Sequence, residues 1–390
     1  MLKKPVYLDY NATTPCDPDV VDAMIPYFSE HFGNTASRDH SYGWEAGEAV
    51  ELARRKIARL IGAPSSGMVF TSGATEALNF ALKGISETGK PHKNHIITSR
   101  TEHEAVLDTC RYLEKKGCTI TYLGVDTFGN IDLQELEREI RPETVAIVLM
   151  YANNETGLVH PVRQIGKITR KYRVLFVCDA TQAVGKIPVN ILENNIDLLA
   201  FSSHKMYGPK GVGALYMGEE ARKRISPLLH GGKHEKGFRS GSLNVPGIVG
   251  FGKAAEICYA RMDTESRRLE RLRNMMENIL LTADRLAVNG DTGNRLSHVT
   301  NISVDGIEGE TFILSLAMDI AVSCGSACSG NVHTPSHVLR AMGMSAEQAG
   351  NSLRLSLGRF TTEEEARFAA ETIVRAIKER RKRRLITTNG

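Results

Sequence analysis

Three stretches of this sequence put reactive groups where folded chains seldom put them without a task. Lys205 closes the run LLAFSSHK (198–205), next to Ser202, Ser203 and His204. A lysine at the buried end of a strand loses hydration, which lowers its pKa and makes its amine a nucleophile for an aldehyde. Asp179 follows the apolar run VLFVC (174–178). A carboxylate there is costly unless it is paired or hydrogen-bonded. It could cap a helix, contact a metal or hold a protonated heterocycle. In TSGATEALNFALKG (71–84) a strand gives way to a small-residue turn and a helix starting near Ala74. Free N–H groups at such a start bind phosphate, and Gly73 lets an anion approach. Taken singly, each motif is common. Together they give an amine, an acid and an anion cradle, which is the set that pyridoxal phosphate requires.

These groups need a scaffold that brings strand ends together. The runs MVFT (68–71), HIITS (95–99), TITYLG (119–124), VAIVLMY (145–151), VLFVCD (174–179), DLLAFS (197–202) and GALYMG (213–218) read as buried strands. Helical patterns lie between them. In GWEAGEAVELARRKIARLIG (43–62), Ala46, Ala49, Ala53, Ile57 and Leu60 share one face. Alternation of this kind predicts an α/β fold with a mostly parallel seven-stranded sheet, whose ligands sit beyond the C-terminal strand ends. After residue 245 the pattern changes to a long charged helix (247–286), strand-like VTNISVD (299–305), helical EGETFILSLAM (308–318), strand-like IAVSC and SLRLSLG (352–358), and a terminal helix from about Thr362. The expected division is a large domain of 16–258 and a smaller α+β domain of 1–15 and 259–390.

The chain has 390 residues, 42% apolar and 24% charged, enough for more than one core. The N-terminal stretch has no apolar signal core, and no apolar run approaches a membrane span, so a cytoplasmic protein without a membrane is expected. The net charge of +4 is uneven, because RAIKERRKRR (375–384) alone carries +6. The expected reading is a solvated last helix turn, with a docking surface for an acidic partner as the alternative. Nucleic acid is not expected, since no aromatic residues interleave with these charges. The seven cysteines are scattered and lack CxxC pairs, so no disulfide framework or metal site is expected. Cys110, Cys118, Cys178 and Cys258 read as buried small hydrophobes. Only Cys324 and Cys328, in SCGSACSG (323–330), lie in a loop-like setting.

From YLDYNATTP (7–15) through FGNTASRDHSYG, SGATEALN, TEHEAV, NNETG, DATQAVG, SSHKMYGPKG, HGGKHEKGFRSGSLNV and GSAC to SLRLSLGRFTTEEE (352–365), the chain resembles the cysteine desulfurases of the NifS/IscS type, class-V aminotransferases of the fold-type-I pyridoxal phosphate enzymes. The resemblance implies a pyridoxal 5'-phosphate cofactor, L-cysteine as substrate and a homodimer. It assigns Lys205 to the covalent bond with the cofactor and Asp179 to the pyridinium nitrogen. His103 stacks on the ring and shuttles a proton, and Gln182 bonds the phenolic oxygen. Thr75, Ser202 and His204, with the backbone at Ala74, take the phosphate, and Ser242 reaches that of the neighbouring subunit. Threonine is frequent at the place of Ser242; serine keeps the hydroxyl. Asn154 and Arg354 hold the substrate carboxylate, a task that suits the guanidinium fork.

By the same resemblance Cys328 is the thiol that takes sulfur as a persulfide. The sulfur then passes to an acceptor scaffold protein for iron–sulfur cluster assembly or other sulfur transfer, with transient cluster contact through Cys328. A Gly/Ser/Ala loop at about 324–335 suits a thiol that must work inside the site and then at the surface. His333 and His337 are expected as surface or helix-start residues. Cys324 stands where serine or alanine is expected. It reads as a small strand-end residue, the alternative being a second sulfur-accepting thiol. Two other activities fit the same residues in outline: a selenocysteine lyase, and a non-catalytic scaffold subunit, against which Lys205, Asp179, His103, Cys328 and Arg354 speak.

Overall fold

The computed structural model describes residues 2–88, 93–324 and 335–388. Its strands are β1 (Val6–Tyr7), β2 (Met68–Thr71), β3 (His95–Ser99), β4 (Thr119–Leu123), β5 (Thr144–Met150), β6 (Leu175–Asp179), β7 (Leu198–Ser202), β8 (Gly213–Met217), β9 (Leu286–Val288), β10 (Val299–Val304), β11 (Ile320–Ala321) and β12 (Ser352–Ser356). Its helices are α1 (Pro18–Met24), α2 (Pro26–Ser29), α3 (Ser41–Leu60), α4 (Ala74–Thr88), α5 (Glu104–Glu114), α6 (Leu133–Arg138), α7 (Val162–Tyr172), α8 (Glu219–Arg222), α9 (Val245–Leu280), α10 (Gly309–Leu316), α11 (His337–Ala341), α12 (Ala346–Gly350) and α13 (Glu363–Thr388).

The seven apolar runs coincide with β2–β8 to within one residue at each end. They form one sheet in the order β2-β8-β7-β6-β5-β3-β4. Only β8 runs antiparallel to its neighbours. The winding reverses between β3 and β5, which opens a crevice beyond their C-terminal ends. Strand periodicity sends alternate side chains to opposite faces. Ile147, Leu149, Phe176, Cys178, Leu199 and Phe201 join the core under α3 and α9. Ala146, Val148, Leu175, Val177, Leu198 and Ala200 join the one under α4 and α5. α3 and α9 pack closely because Gly252 has no side chain; a Cβ there would stand 2.6 Å from the Ala53 Cα.

The domain boundary expected at 258/259 falls inside α9. Its residues from Val245 to Cys258 bury against the central sheet. Leu269, Leu272, Met276 and Leu280 bury instead in a separate core with Val6, Leu8, Ile302, Leu353, Leu355 and α13. That core supports an antiparallel sheet β12-β10-β9 and a parallel pair β1-β11. Single bridges from Asp9 to Ser356 and from Ser323 to Arg354 join the two. α13 starts with a reciprocal cap, Thr362 Oγ1 accepting from Glu365 N and Glu365 Oε2 from Thr362 N. The strand expected over IAVSC is reduced to Ile320–Ala321.

Three expectations differ. Cys118 is part-exposed at the start of sheet-edge strand β4, whereas Cys110, Cys178 and Cys258 are buried. The long helix ends at Leu280, six residues short of 286. The basic stretch is not a last turn, since α13 continues to Thr388. Two of its arginines also hold neighbouring elements: Arg380 donates to Thr311 Oγ1 in the first turn of α10 at 2.9 Å and Arg381 to Asp305 O before it at 3.2 Å.

Arg359 ties the two cores together. Its guanidinium donates to Asp17 Oδ2 at 2.6 Å and Glu265 Oε1 at 2.7 Å and lies 4.1 Å from the centre of the Tyr207 ring. Asp17 also caps α1, accepting from Asp19 N. All three charged side chains are largely buried. Removing one member of such a cluster strands the others, so Arg359→Ala is expected to lower stability by about 3–5 kcal/mol. Chemical denaturation followed by circular dichroism reads that loss directly.

Candidate active site

Lys205 ends a single 3-10 turn, Ser203–Lys205, directly after β7. Its Nζ donates to the carbonyls of Asn11 and Ala12, both at 2.6 Å. The N-terminal segment is thus folded over the amine. Thr14 secures it, its Oγ1 donating to His204 O at 2.9 Å and accepting from Tyr207 N at 2.8 Å. Tyr207 holds φ at 66°, a left-handed conformation that is rare for a large side chain. Such strain persists where surrounding contacts over-determine it. Asp17 N donates to Tyr207 O, and the Tyr207 hydroxyl accepts from Arg359 N at 2.6 Å.

Asp179 is the last residue of β6, and its Oδ1 accepts from Thr181 N at 2.9 Å. In the next turn, Gln182 donates from Nε2 to Asn11 O at 3.0 Å and accepts at Oε1 from Lys186 Nζ at 2.5 Å. His103 caps α5, and its Nδ1 accepts from Ala105 N at 3.0 Å. That bond assigns the Nδ1 lone pair to the backbone and the ring proton of the neutral imidazole to Nε2. The turn at 71–74 leads into α4, with Ser72 N donating to Glu76 Oε2 at 2.7 Å. Arg239 pairs with Glu76 at 2.9 Å, which offsets that negative charge beside the helix start. Glycine at 213 lets β8 pass below; a Cβ there would stand 2.6 Å from Gly73 Cα.

Ala74, Thr75, His103, Asn154, Asp179, Gln182, Ser202, His204 and Lys205, all expected from sequence, line one cavity of about 410 Å³. That volume falls in the range of small-molecule and cofactor sites. His204 Nδ1 lies 3.1 Å from Thr13 Oγ1. Burial, followed by the charges of Lys205, Lys210 and Lys186, pushes its imidazole down to about 4, so it is a neutral hydrogen-bonding group at pH 7.

Arg354 is not on the cavity wall but directly behind it. It is 1% exposed and lies in β12. Its Nη1 donates to Asn154 O at 3.1 Å and its Nη2 to Asp9 Oδ1 at 2.8 Å. Among the described residues its buried Nε has no acceptor. Ser242 is exposed and is not among the cavity-lining residues. His337 opens α11, with Nε2 bonded to Glu102 O at 2.9 Å. Cys328 and His333 lie outside the described residues, whereas Cys324 is part-buried.

Sequence reasoning passed over Asn11. It is 1% exposed, and its carbonyl accepts from both Gln182 and Lys205. Its Oδ1 meets His298 Nε2 at 2.7 Å, and its Nδ2 donates to Asn154 O at 3.0 Å. One asparagine thereby ties Gln182 and Lys205 to Asn154 and His298. Asp9 was also passed over: its Oδ1 accepts from Ser323 Oγ at 3.2 Å as well as from Arg354. Both lie in the motif YLDYNATTP, but nothing in that stretch names their partners, which lie far along the chain. The donors present match pyridoxal phosphate: an amine, a carboxylate for the ring nitrogen, and a helix start with Thr75, Ser202 and His204 for the phosphate.

Comparison with known proteins agrees with this architecture. A protein named cysteine desulfurase IscS from Anaeromyxobacter sp. (strain Fw109-5) is 48% identical over 381 residues, 97% of this chain and 94% of that protein. A solved NifS-like protein superposes with a TM-score of 0.89 at 36% identity, over 96% of this chain and 99% of its own. A structure of SspA in complex with cysteine gives a TM-score of 0.83 at 36% identity, over 91% and 99% of the two chains. The aminotransferase class-V family model matches residues 6–367. With that match across nearly its whole length, the chain belongs to the class-V aminotransferase family.

Proposed function

We propose that the chain is a pyridoxal-phosphate-dependent cysteine desulfurase, which converts L-cysteine to L-alanine and leaves the sulfur as a persulfide on Cys328. The observation that carries this reading is the convergence of Lys205, Asp179 and the α4 N-terminus on one cavity at the sheet's C-terminal edge. The 48% identity to a protein named cysteine desulfurase supports it. Bound through Lys205, the cofactor supplies an acceptor for the electrons released when the substrate Cα–H bond breaks.

The chain's own residues do the rest. Asp179, fixed by Thr181 N–H, keeps the ring nitrogen protonated. Gln182 donates to the phenolic oxygen. His103 exchanges the substrate proton at Nε2, since its Nδ1 is committed to Ala105 N. Arg354 and Asn154 hold the substrate carboxylate, with the Nε–H of Arg354, unmatched among the described residues, as a donor in reserve. The Cys328 thiolate then attacks the substrate sulfur. The S–S bond forms as the Cβ–S bond breaks, so cysteine and one thiol become alanine and one persulfide with no outside oxidant. The persulfide passes to an acceptor protein for iron–sulfur assembly or other sulfur transfer.

We further place the enzyme in the cytoplasm as a homodimer, with Ser242 reaching the partner's phosphate. In support, Val21, Ile25, Phe28, Phe32, Tyr42 and Trp44 are exposed between residues 21 and 44, where the Phe32 and Tyr42 rings pack at 5.3 Å. Large exposed apolar side chains gathered in one stretch of chain favour an interface. Incubation with L-cysteine and a thiol reductant is expected to yield alanine and sulfide in equal amounts. Without reductant, alanine is expected to exceed sulfide, because the persulfide stays on the protein. Formation of neither product would refute the reading.

A further inference from the structure

Lys186 belongs to none of the roles above, yet it stands one residue removed from the cofactor cavity. Although the residue as a whole is part-exposed, its amine is enclosed. It faces a second cavity, of about 20 Å³, shared with Tyr10, Thr14, Glu265, Ser297 and His298. That space is the size of one water molecule. An enclosed amine is costly, and an apolar side chain of similar length would fill the place without the desolvation. The amine is matched instead by Gln182 Oε1 at 2.5 Å. Gln182 and Lys186 are four residues apart in a run of turns closed by Gly185 in the left-handed region (φ 80°), and this brings the two side chains together.

The consequence concerns the two ends of a carboxamide. Gln182 fits its place with either end toward Asn11 as far as shape is concerned; the partners decide. Asn11 O can only accept, so it takes the N–H edge, and the Lys186 amine, a donor in either protonation state, holds the oxygen. Nε2 then donates one N–H to Asn11 O at 3.0 Å, and the second N–H remains for the cavity. The same Asn11 carbonyl accepts from Lys205 Nζ at 2.6 Å. Lys186, Gln182, Asn11 and Lys205 thus form one hydrogen-bonded chain from the small cavity to the reactive amine.

We propose that Lys186 is a positioning residue of this active site, holding Gln182 Oε1 so that the N–H edge of Gln182 is the one presented to the cofactor. This rests on the reading that Gln182 donates to the phenolic oxygen of pyridoxal phosphate. Burial and the charges of Lys205 and Arg354 hold the Lys186 ammonium well below its ordinary pKa, but a neutral amine still donates to Oε1.

The test is the pH titration of the visible absorbance band of the cofactor-loaded protein. It is made on wild type, Lys186→Met, Lys186→Arg, Gln182→Leu and the Lys186→Met/Gln182→Leu double variant. Losing a donor to the phenolic oxygen makes the chromophore more basic. Lys186→Met and Gln182→Leu are each expected to raise the titration midpoint by roughly one unit, the worth of one hydrogen bond to a charged group. The double variant is expected to match Gln182→Leu alone, and Lys186→Arg to stay near wild type. Lys186→Gln replaces Lys186→Met if the latter does not accumulate as soluble protein. A shift in Gln182→Leu with none in Lys186→Met overturns the proposal. So does additivity in the double variant, which would mean that Lys186 acts on the cofactor without Gln182. A band that is present but unmoved in Gln182→Leu refutes the reading of Gln182, and the proposal with it. No visible band in the wild type refutes the cofactor assignment itself.

Discussion

Replacing Lys205 with alanine is expected to lower turnover of L-cysteine by roughly 10⁴–10⁶-fold, the loss typical of removing a covalent group that acts in concert with others. The reason is visible in the contacts of the amine. Asn11 O and Ala12 O hold Nζ at the cavity wall, between the acid at the end of β6 and the helix start of α4. Alanine removes the nucleophile and leaves two carbonyls without their donor. Lys205→Arg separates these effects. It can restore a donor to the carbonyls but cannot bond an aldehyde, so it is expected to be as inactive as alanine. Both variants should lose the wild-type visible band. A Lys205→Ala protein with a tenth of wild-type turnover would remove Lys205 from the chemistry.

Replacing Cys328 with serine is expected to have the next largest effect, about 10³-fold or more on sulfide release, because a hydroxyl does not accept sulfur. The cofactor band should survive and should still respond to cysteine, since none of the groups holding either molecule is touched. Mass spectrometry of cysteine-treated wild type should show the gain of a sulfur atom, and the Cys328→Ser protein should not. Cys324→Ser tests the second thiol. Unchanged persulfide load, turnover and peroxide sensitivity assign Cys324 a passive place. The described residues flanking this segment are anchored beside the site: Ser323 to Asp9, and Ser336 to the buried carboxylate of Glu155 at 2.5 Å.

The contrast between Lys205 and Asn11 shows what a sequence carries locally and what it does not. Lys205, Asp179 and Ala74 follow apolar runs, and an apolar run ending in a polar group reads as a strand end without knowledge of partners. The parallel sheet then fixes that such ends share one edge, so the cavity follows from periodicity alone. Asn11 and Asp9 sit in a polar segment whose partners at Gln182, His298 and Arg354 come from three other parts of the chain. Nothing near position 11 encodes that convergence. Arg354 lies between the two cases. Its alternation with Leu353 and Leu355 places it on a strand, but only tertiary packing shows that Asp9 already balances its charge. The basic stretch at 375–384 failed for the same reason: charge composition reports solvation, whereas Arg380 also spends its donors on the Thr311 backbone and side chain.

The pairing of β1 with β11, Val6 opposite Ile320, has a consequence for biosynthesis. The strands of the central sheet have all been made by residue 217, and domains fold as units as a chain emerges from the ribosome. The segment that supplies the carbonyls for Lys205 emerges before any of them. It finds its strand partner only when residue 320 has been made, and its Ser356 contact later still. A nascent chain therefore holds a finished sheet with an unfinished pocket while residues 218 to 356 are being made. Sequence separation on this scale makes closing the pocket a late and slow event relative to forming the sheet. The carbonyls that hold Lys205 can meet it as soon as residue 205 has been made, whereas the side of the pocket that contains Arg354 and Ser356 closes only after both of these have been made.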